Sequence, residues 1–129
     1  MKKLFALFAA TLIAVSASYA GEFPDISIED LKKAIADKKV TVIDVNGPSS
    51  YKKGHVPSAV DFSSVNGKLA AVLPKDKNAL VVAYCGGPSC SAYKKAATEA
   101  EKLGYKNVKH LSAGISGWLQ AGEKTEKAN

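Results

Sequence analysis

Two short apolar runs, each close to a stretch of helical periodicity, constrain the fold of this chain more than any other feature. Residues 40–45 (VTVIDV) are rich in β-branched side chains, and residues 79–84 (ALVVAY) have the composition and length of a buried strand. Helical patterns cover residues 28–38, directly after the capping residue type at Ser27, and residues 91–103. Strands that alternate with helices are typical of an α/β domain. We therefore predict a mostly parallel sheet, with residues 79–84 in a central strand.

The remaining patterns predict shorter elements between these four. Two short strands and two short helices are expected, at residues 60–62, 107–111, 65–72 and 115–119 respectively. Residues 46–50 (NGPSS) have the composition of a turn. We expect the polar tail from Glu123 onward to fray.

The N-terminal segment differs in composition from the rest of the chain. A basic start precedes an Ala-rich apolar run at residues 4–15, which is shorter than the about 20 residues of a membrane span. Small residues, Ser18 and Ala20, follow at the positions that a signal peptidase recognises. We therefore predict a secretory signal peptide over residues 1–20. The mature domain would cover residues 21–129, be secreted or periplasmic, and not span the membrane.

The charge pattern excludes several function classes. The formal net charge is +6, and all 18 strongly basic side chains are lysines, spread along the chain rather than gathered in one block. No aromatic residues alternate with them, so we expect no nucleic-acid partner. The chain contains no arginine, so no mechanism can use a guanidinium fork from its own residues.

The strongest local signal for chemistry is Cys85, which follows the more apolar run and precedes the glycine-rich turn Gly86-Gly87-Pro88-Ser89. In parallel α/β sheets, ligands bind outside the carboxyl ends of the strands. The N–H groups of such a turn, together with a helix N-terminus, favour a bound anion and the thiolate form of a cysteine. We therefore predict Cys85 as a nucleophile. The alternative is that Cys85 is only a small buried hydrophobic residue at a strand end.

Five short motifs follow one another along the chain at consistent spacing. They are residues 42–45 (VIDV), 54–59 (GHVPSA), 82–85 (VAYC), 103–105 (LGY) with Val108, and Gly114 with Gly117 and Trp118. In this order they resemble single-domain members of the rhodanese (thiosulfate sulfurtransferase-like) family. The resemblance covers essentially all of residues 21–129. It implies the rhodanese-like α/β fold, a parallel five-stranded sheet with helices on both faces.

The resemblance also implies a chemistry for Cys85. In such proteins a cysteine at this place forms a persulfide, which implies that Cys85 is loaded by thiosulfate or another sulfane-sulfur donor. A thiol, sulfite or cyanide would unload it, and a protein partner for sulfur relay is also possible. The anion-binding loop comprises Gly86, Gly87, Pro88, Ser89, Cys90 and Ser91. All of these except proline can donate a backbone N–H, and Pro88 shapes the loop instead.

Three departures from the family pattern qualify these expectations. Asn46 stands where many members carry arginine, Ser58 replaces the commoner glycine, and the loop carries no charge. We therefore expect only weak thiosulfate:cyanide activity. Phosphatases that share this fold need an arginine after five loop residues. Here that position is Ser91, which disfavours phosphoryl chemistry.

The second cysteine, Cys90, leaves three interpretations open. The loop resembles an exported subgroup that reads Cys-Gly-Gly-x-x-Cys. Cys90 is a resolving thiol that attacks an oxidised or persulfidated Cys85, a partner in a resting disulfide, or an inert residue near the start of the helix. The main functional prediction is thus an exported sulfurtransferase. The alternative is a redox or sulfur-relay binding module that uses Cys85 and Cys90 as a dithiol–disulfide pair.

The other polar candidates receive mainly structural interpretations. Asp44 lies at the C-terminal end of the predicted strand 40–45 and Asn46 follows that strand, at the same edge as Cys85, so both are candidates to line the site, and Asp44 is also a candidate to bind loop amides. His55 is interpreted as structural, and His110, on a predicted strand with no partner motif, as a packing or surface residue. The Cys-x4-Cys spacing is typical of neither zinc sites nor thioredoxin-like motifs, and we expect no metal and no cofactor.

Overall fold

The fold is known from a computed structural model, which describes residues 23–128. The predicted signal peptide at residues 1–20 therefore lies outside the described residues. Within residues 23–128, no helix combines the length and apolar character needed to cross a membrane.

The described strands form one parallel sheet in the order β2-β1-β3-β4. They are β1 (Val40–Asp44), β2 (Val60–Asp61), β3 (Leu80–Tyr84) and β4 (Asn107–His110). The prediction of a parallel α/β sheet with the second apolar run at its centre is confirmed. Strand β3 lies inside the sheet, between β1 and β4, and its side chains are therefore almost all buried, whereas β2 is a two-residue edge strand.

The predicted fifth strand is wrong: the described part of the chain forms four strands. Beside β4, the place of a fifth strand is taken by a single bridge between Asp25 and His110. The His110 N–H donates to the Pro24 carbonyl (2.8 Å), and the Ile26 N–H donates to the His110 carbonyl (2.9 Å). The pairing stops there because Pro24 has no N–H to donate and Ser27 already caps the next helix.

Within residues 23–128, five α-helices and one 3-10 turn cover the sheet. They are α1 (Ile28–Ala36), α2 (Pro48–Lys53), α3 (Phe62–Val65), the 3-10 turn (Leu69–Ala71), α4 (Tyr93–Lys102) and α5 (Gly114–Gln120). The predicted turn at 46–50 is wrong, since Pro48 begins α2, a position that suits proline because the first helical N–H needs no partner. The predicted helix at 65–72 is interrupted, because Gly67 has a left-handed φ of 75°.

The helices lie on both faces of the sheet, as predicted. Helices α1, α2 and α5 pack on one face, and α3, α4 and the 3-10 turn pack on the other. Strand β3 serves both cores because alternate side chains point to opposite faces. Val82 and Tyr84 belong to the first core, and Ala83 and Cys85 belong to the second. The cysteine therefore enters the α4 face of the sheet.

The polar tail after α5 is bound to the domain, so the expectation that it frays is wrong. The Trp118 indole N–H donates to the Lys124 carbonyl (2.8 Å). His55 and Glu126 exchange two backbone hydrogen bonds of 2.9 Å each. The tail thus satisfies polar groups of buried residues that would otherwise have no partner.

Candidate active site

The site begins at the carboxyl end of β3, where the buried strand delivers Cys85 to the edge of the sheet. Cys85 is 1 % exposed and belongs to the core that α4 covers. Its Sγ is bonded to Sγ of Cys90, and the two Cα atoms are 6.3 Å apart. Cys90 is only half-buried. This direct contact is what a resolving thiol or a resting disulfide requires.

Helix α5 holds the carbonyl groups of the loop. The Ile115 N–H donates to the Cys85 carbonyl, and the Ser116 N–H donates to the Gly86 carbonyl, both at 3.0 Å. Gly114 allows this approach: it has a φ of 63°, and a Cβ there would lie 2.5 Å from the Gly86 carbonyl carbon. The sequence marks Gly114 as a family motif, but it does not indicate this contact with the loop.

The N–H groups of the loop are mostly uncommitted. Cys90 uses its own N–H in a turn, donating to the Gly87 carbonyl at 3.1 Å. In the part of the chain that the structure describes, no hydrogen bond engages the N–H groups of Gly86, Gly87, Ser89 and Ser91. Since α5 takes up loop carbonyls while these donors remain open, the loop favours a bound anion.

Asp44, predicted as a site-lining candidate, is buried and is the last residue of β1. One carboxylate oxygen accepts from the Tyr84 hydroxyl (2.5 Å), and the other accepts from the Asn46 N–H (2.7 Å). The Tyr84 hydroxyl in turn accepts from the Val56 N–H (3.0 Å). Burial raises the pKa of Asp44, an effect that the hydrogen bonds from Tyr84 and Asn46 oppose. Asp44 therefore binds the N–H of a loop residue, the second of the two roles predicted for it.

Asn46, the other predicted site-lining residue, lies beside the active-site loop. Its side-chain oxygen is 3.9 Å from the position that a Cβ on Gly86 would occupy. It also lines a groove of about 250 Å³ with Lys53, Ile115 and Leu119. Leu119 is the one large hydrophobic side chain that is exposed among residues 23–128.

His55 has a structural environment. Its ring stacks on Tyr51, with ring centroids 3.8 Å apart, and its Nδ1 lies 2.8 Å from the Tyr51 carbonyl. It is also buried. These contacts join the end of α2 to the segment that leads into β2, as the structural interpretation requires.

His110 lies closer to the site than its sequence context indicates. It is buried and stacks on Tyr93, with ring centroids 3.4 Å apart. Its Nε2 is buried and has no hydrogen-bond partner within residues 23–128. Burial lowers the pKa of His110, and the Lys94 charge acts in the same direction while Asp25 opposes both. No local motif indicates this placement, because it follows from the pairing of β4 with β3.

An open basin of about 410 Å³ adjoins the second cysteine. Cys90 lines it together with Ser89, Lys94 and His110, whereas Cys85 does not. Among residues 23–128, no group of three or more His, Cys, Asp or Glu side chains is arranged to hold a metal ion.

Comparison with known proteins connects this arrangement to a family. The model of the rhodanese-like domain matches residues 27–121. Thiosulfate sulfurtransferase GlpE of Pseudoalteromonas translucida is 28% identical over 109 residues, which are 81% of this chain and 98% of that protein. The tRNA uridine(34) hydroxylase of Buchnera aphidicola is 30% identical over 105 residues, 77% of this chain but 32% of the hydroxylase. The chain thus spans about a third of the length of that relative.

Solved structures agree with the sequence comparisons. The crystal structure of the BH2092 protein from Bacillus halodurans superposes with a TM-score of 0.68 and 29% identity. The superposition covers 81% of this chain and 77% of that one. The family model spans the sheet, the cysteine loop and α5, so this chain belongs to the rhodanese-like domain family.

Proposed function

We propose that this protein is a sulfurtransferase that carries a sulfane sulfur on Cys85 as a persulfide. The observation that carries the proposal is the placement of Cys85 at the carboxyl end of the central strand, followed by a loop with uncommitted N–H groups. The similarity to a thiosulfate sulfurtransferase over nearly that protein's whole length supports the same chemistry.

The reaction uses the reduced form of the site. The Cys85 thiolate attacks the outer sulfur of thiosulfate, the S–S bond of thiosulfate breaks, and sulfite leaves with the bonding electrons. A thiolate acceptor then attacks the outer sulfur of the persulfide, and Cys85 leaves as thiolate. Loop N–H groups stabilise the negative charge in both steps.

Turnover with thiosulfate and cyanide should be slow. The chain has no arginine, and binding of the thiosulfate dianion would depend on main-chain N–H groups and on Lys94 at the rim of the loop. A thiol or a protein persulfide, which carries less charge, suits this loop better as a reaction partner.

We also propose that the protein is exported, with residues 1–20 removed. The basic start, the short apolar run and the small residues before Gly21 support this. The Cys85–Cys90 disulfide suits an oxidising compartment. Protein recovered from the periplasm of a bacterial host should have the mass of a chain that begins at Gly21. Full-length protein confined to the cytoplasm would contradict export.

The persulfide is tested on a variant that cannot close the disulfide. Cys90→Ser, reduced and then treated with thiosulfate, should gain one sulfur atom, which peptide mass spectrometry assigns to Cys85. Cys85→Ser, which retains Cys90, is the matched control and should gain none. A sulfur found only on Cys90, or on neither variant, would exclude the proposed mechanism.

A second candidate function is favoured by the disulfide itself. In it, Cys85 and Cys90 switch between dithiol and disulfide and relay electrons or sulfur to a protein partner. Thiol titration before and after mild oxidation tests this function. Two thiols that both stay free under oxidant would remove it.

A further inference from the structure

The disulfide presents its two sulfur atoms unequally. Cys85 is 1 % exposed and lies in the core beneath α4, while Cys90 is half-buried and lines the basin of about 410 Å³. A thiolate from solution therefore reaches Sγ of Cys90 first. Attack there expels Cys85 as the leaving thiolate, next to a loop whose N–H groups are uncommitted. A stabilised leaving thiolate departs faster, so accessibility and leaving-group chemistry favour the same direction of attack.

The bond between Cys85 and Cys90 also indicates which sulfur atom of a Cys85 persulfide Cys90 would attack. The two Sγ atoms are bonded in this structure, so the loop has a conformation in which Cys90 reaches Sγ of Cys85. In a persulfide, that atom is the inner sulfur. Attack on it restores the disulfide of this structure, whereas attack on the outer sulfur would need a longer bridge between the two residues.

We propose that the protein reduces sulfane sulfur to sulfide and uses Cys85 and Cys90 as the source of two electrons. The proposal rests on the proposed persulfide at Cys85. Cys90 Sγ attacks Cys85 Sγ, the bond between Cys85 Sγ and the outer sulfur breaks, and the outer sulfur leaves with the electron pair. The Cys90 thiol proton goes to that sulfur, which departs as hydrosulfide.

Each turnover then needs a dithiol reductant. Its first thiolate attacks Cys90 and forms a mixed disulfide, and its second thiol attacks the reductant's own sulfur in that bond and releases Cys90. The sum is thiosulfate plus a dithiol yielding sulfite, hydrosulfide, a proton and the oxidised reductant. Atoms and electrons balance, because the sulfane sulfur gains the two electrons that the dithiol loses.

The basin beside Cys90 suits the approach of a thiolate. Lys94 lines it and supplies a positive charge, and the Asp25 carboxylate, which also lines it, accepts the Ser112 N–H at 2.9 Å. The reductant thus enters from the α4 side, over the N-terminal end of that helix.

The decisive experiment is a single turnover. Fully reduced protein, freed of reductant, receives one equivalent of thiosulfate, and released sulfide is trapped with monobromobimane. Wild type should release about one sulfide per chain and end as the Cys85–Cys90 disulfide. Cys90→Ser should hold the persulfide and release less than about a tenth as much until a thiol is added.

The two proposals fail in different ways. Absence of a persulfide on Cys90→Ser would overturn the proposed function. A persulfide on Cys90→Ser together with a stable persulfide and no sulfide on wild type would overturn only the reductase proposal.

The direction of reduction has its own test. Oxidised wild type is treated briefly with β-mercaptoethanol, quenched with acid and mapped by mass spectrometry. The mixed disulfide should be on Cys90, and a mixed disulfide mainly on Cys85 would contradict the assigned entry point.

Discussion

Tyr84 and Cys85 are consecutive residues, yet they serve opposite purposes. The Tyr84 hydroxyl is buried in a closed set of hydrogen bonds with Asp44 and Val56. Cys85 is equally buried, but the loop that follows it leaves several N–H donors without acceptors in the described residues. A satisfied buried network stabilises one fold, whereas open donors at the neighbouring position are available to an anion.

The difference follows from the geometry of a strand. Alternate side chains face opposite layers. The end of β3 therefore supplies Tyr84, which pairs with Asp44, to the α5 side and the reactive sulfur of Cys85 to the α4 side. If these two regions are separate, changes in the first, the Tyr84–Asp44 pair, should affect stability alone. Changes in the second, Cys85 and the loop that follows it, should affect persulfide loading.

The largest effect is expected where the loop meets α5. Gly114→Ala forces a Cβ to 2.5 Å from the Gly86 backbone and places alanine at a φ of 63°. We expect the free energy of unfolding to fall by about 2–4 kcal/mol. Because the loop must shift, the rate of persulfide loading should fall about 100-fold. Chemical denaturation and timed mass spectrometry measure the two quantities.

Gly122→Ala is the matched control for Gly114→Ala. Gly122 follows the other end of α5 and has a φ of 75°, but a Cβ there meets nothing within 4 Å. It should lose about 1 kcal/mol of stability and no loading rate. Normal loading by Gly114→Ala would show that the loop does not need its contact with α5.

The next largest effect is expected from a change in the Tyr84–Asp44 pair. Tyr84→Phe removes the donor to Asp44 and leaves the buried Val56 N–H without an acceptor. We expect a loss of about 2–3 kcal/mol in the free energy of unfolding, with unchanged persulfide loading of the folded protein. Tyr51→Phe, which loses a half-buried bond to the Ala59 carbonyl, should lose about 1 kcal/mol. A Tyr84→Phe protein that folds but fails to load would break the separation of the two regions.

A smaller effect should appear as a pH dependence of stability. Burial raises the pKa of Asp44 above the 3.8 of the unfolded chain, so the unfolded carboxyl loses its proton first as the pH rises. The folded state then binds more protons, and wild type should lose stability relative to Asp44→Asn as the pH rises above 3.8. The difference should level off above the folded pKa. Urea unfolding of both proteins across acidic pH measures it, and a difference that does not vary with pH would contradict the sign.

The smallest effect concerns the basin beside Cys90. Lys94→Gln removes the positive charge that lines it, and Lys95→Gln changes the neighbouring lysine, which does not line it. We expect Lys94→Gln to slow loading by thiosulfate about two- to fivefold at low salt, with the difference shrinking as salt rises. Equal slowing of loading by both substitutions would indicate that the net charge of the protein, rather than the position of Lys94 in the basin, determines the rate.

The parts of the fold that could be predicted are those with a continuous local signal. The buried strands β1 and β3 follow from apolar runs, and α1 begins after Ser27, whose hydroxyl accepts the Asp30 N–H at 3.0 Å. Residues 46–50 suggest a turn because Asn46 and Gly47 precede α2 and two serines lie in its first turn, although proline at a first helical position is a signal for a helix start. Five strands are what the family resemblance implies. Pro24 and the cap at Ser27 leave room for only one bridge.

In the candidate site, too, only the parts with a local sequence signal could be predicted. Cys85 and its loop could be placed from a strand, a glycine pair and a helix, all within residues 79–103. The contact of Gly114 with Gly86 and the position of His110 near Cys90 join segments far apart in the chain, so no local pattern predicts them. Ser58 is informative in retrospect. It has a φ of 70°, which explains why glycine is commoner there in the family.

The bound tail has a consequence for how the protein is handled. Thr125 lies against Gly54, where a Cβ would be 3.2 Å from the Thr125 hydroxyl oxygen, and it forms one wall of the groove that contains Asn46. A tag, fusion or protease that lifts residues 124–128 would remove that wall and uncover the indole N–H of Trp118. Activity measured on C-terminally tagged protein would then report on an altered groove.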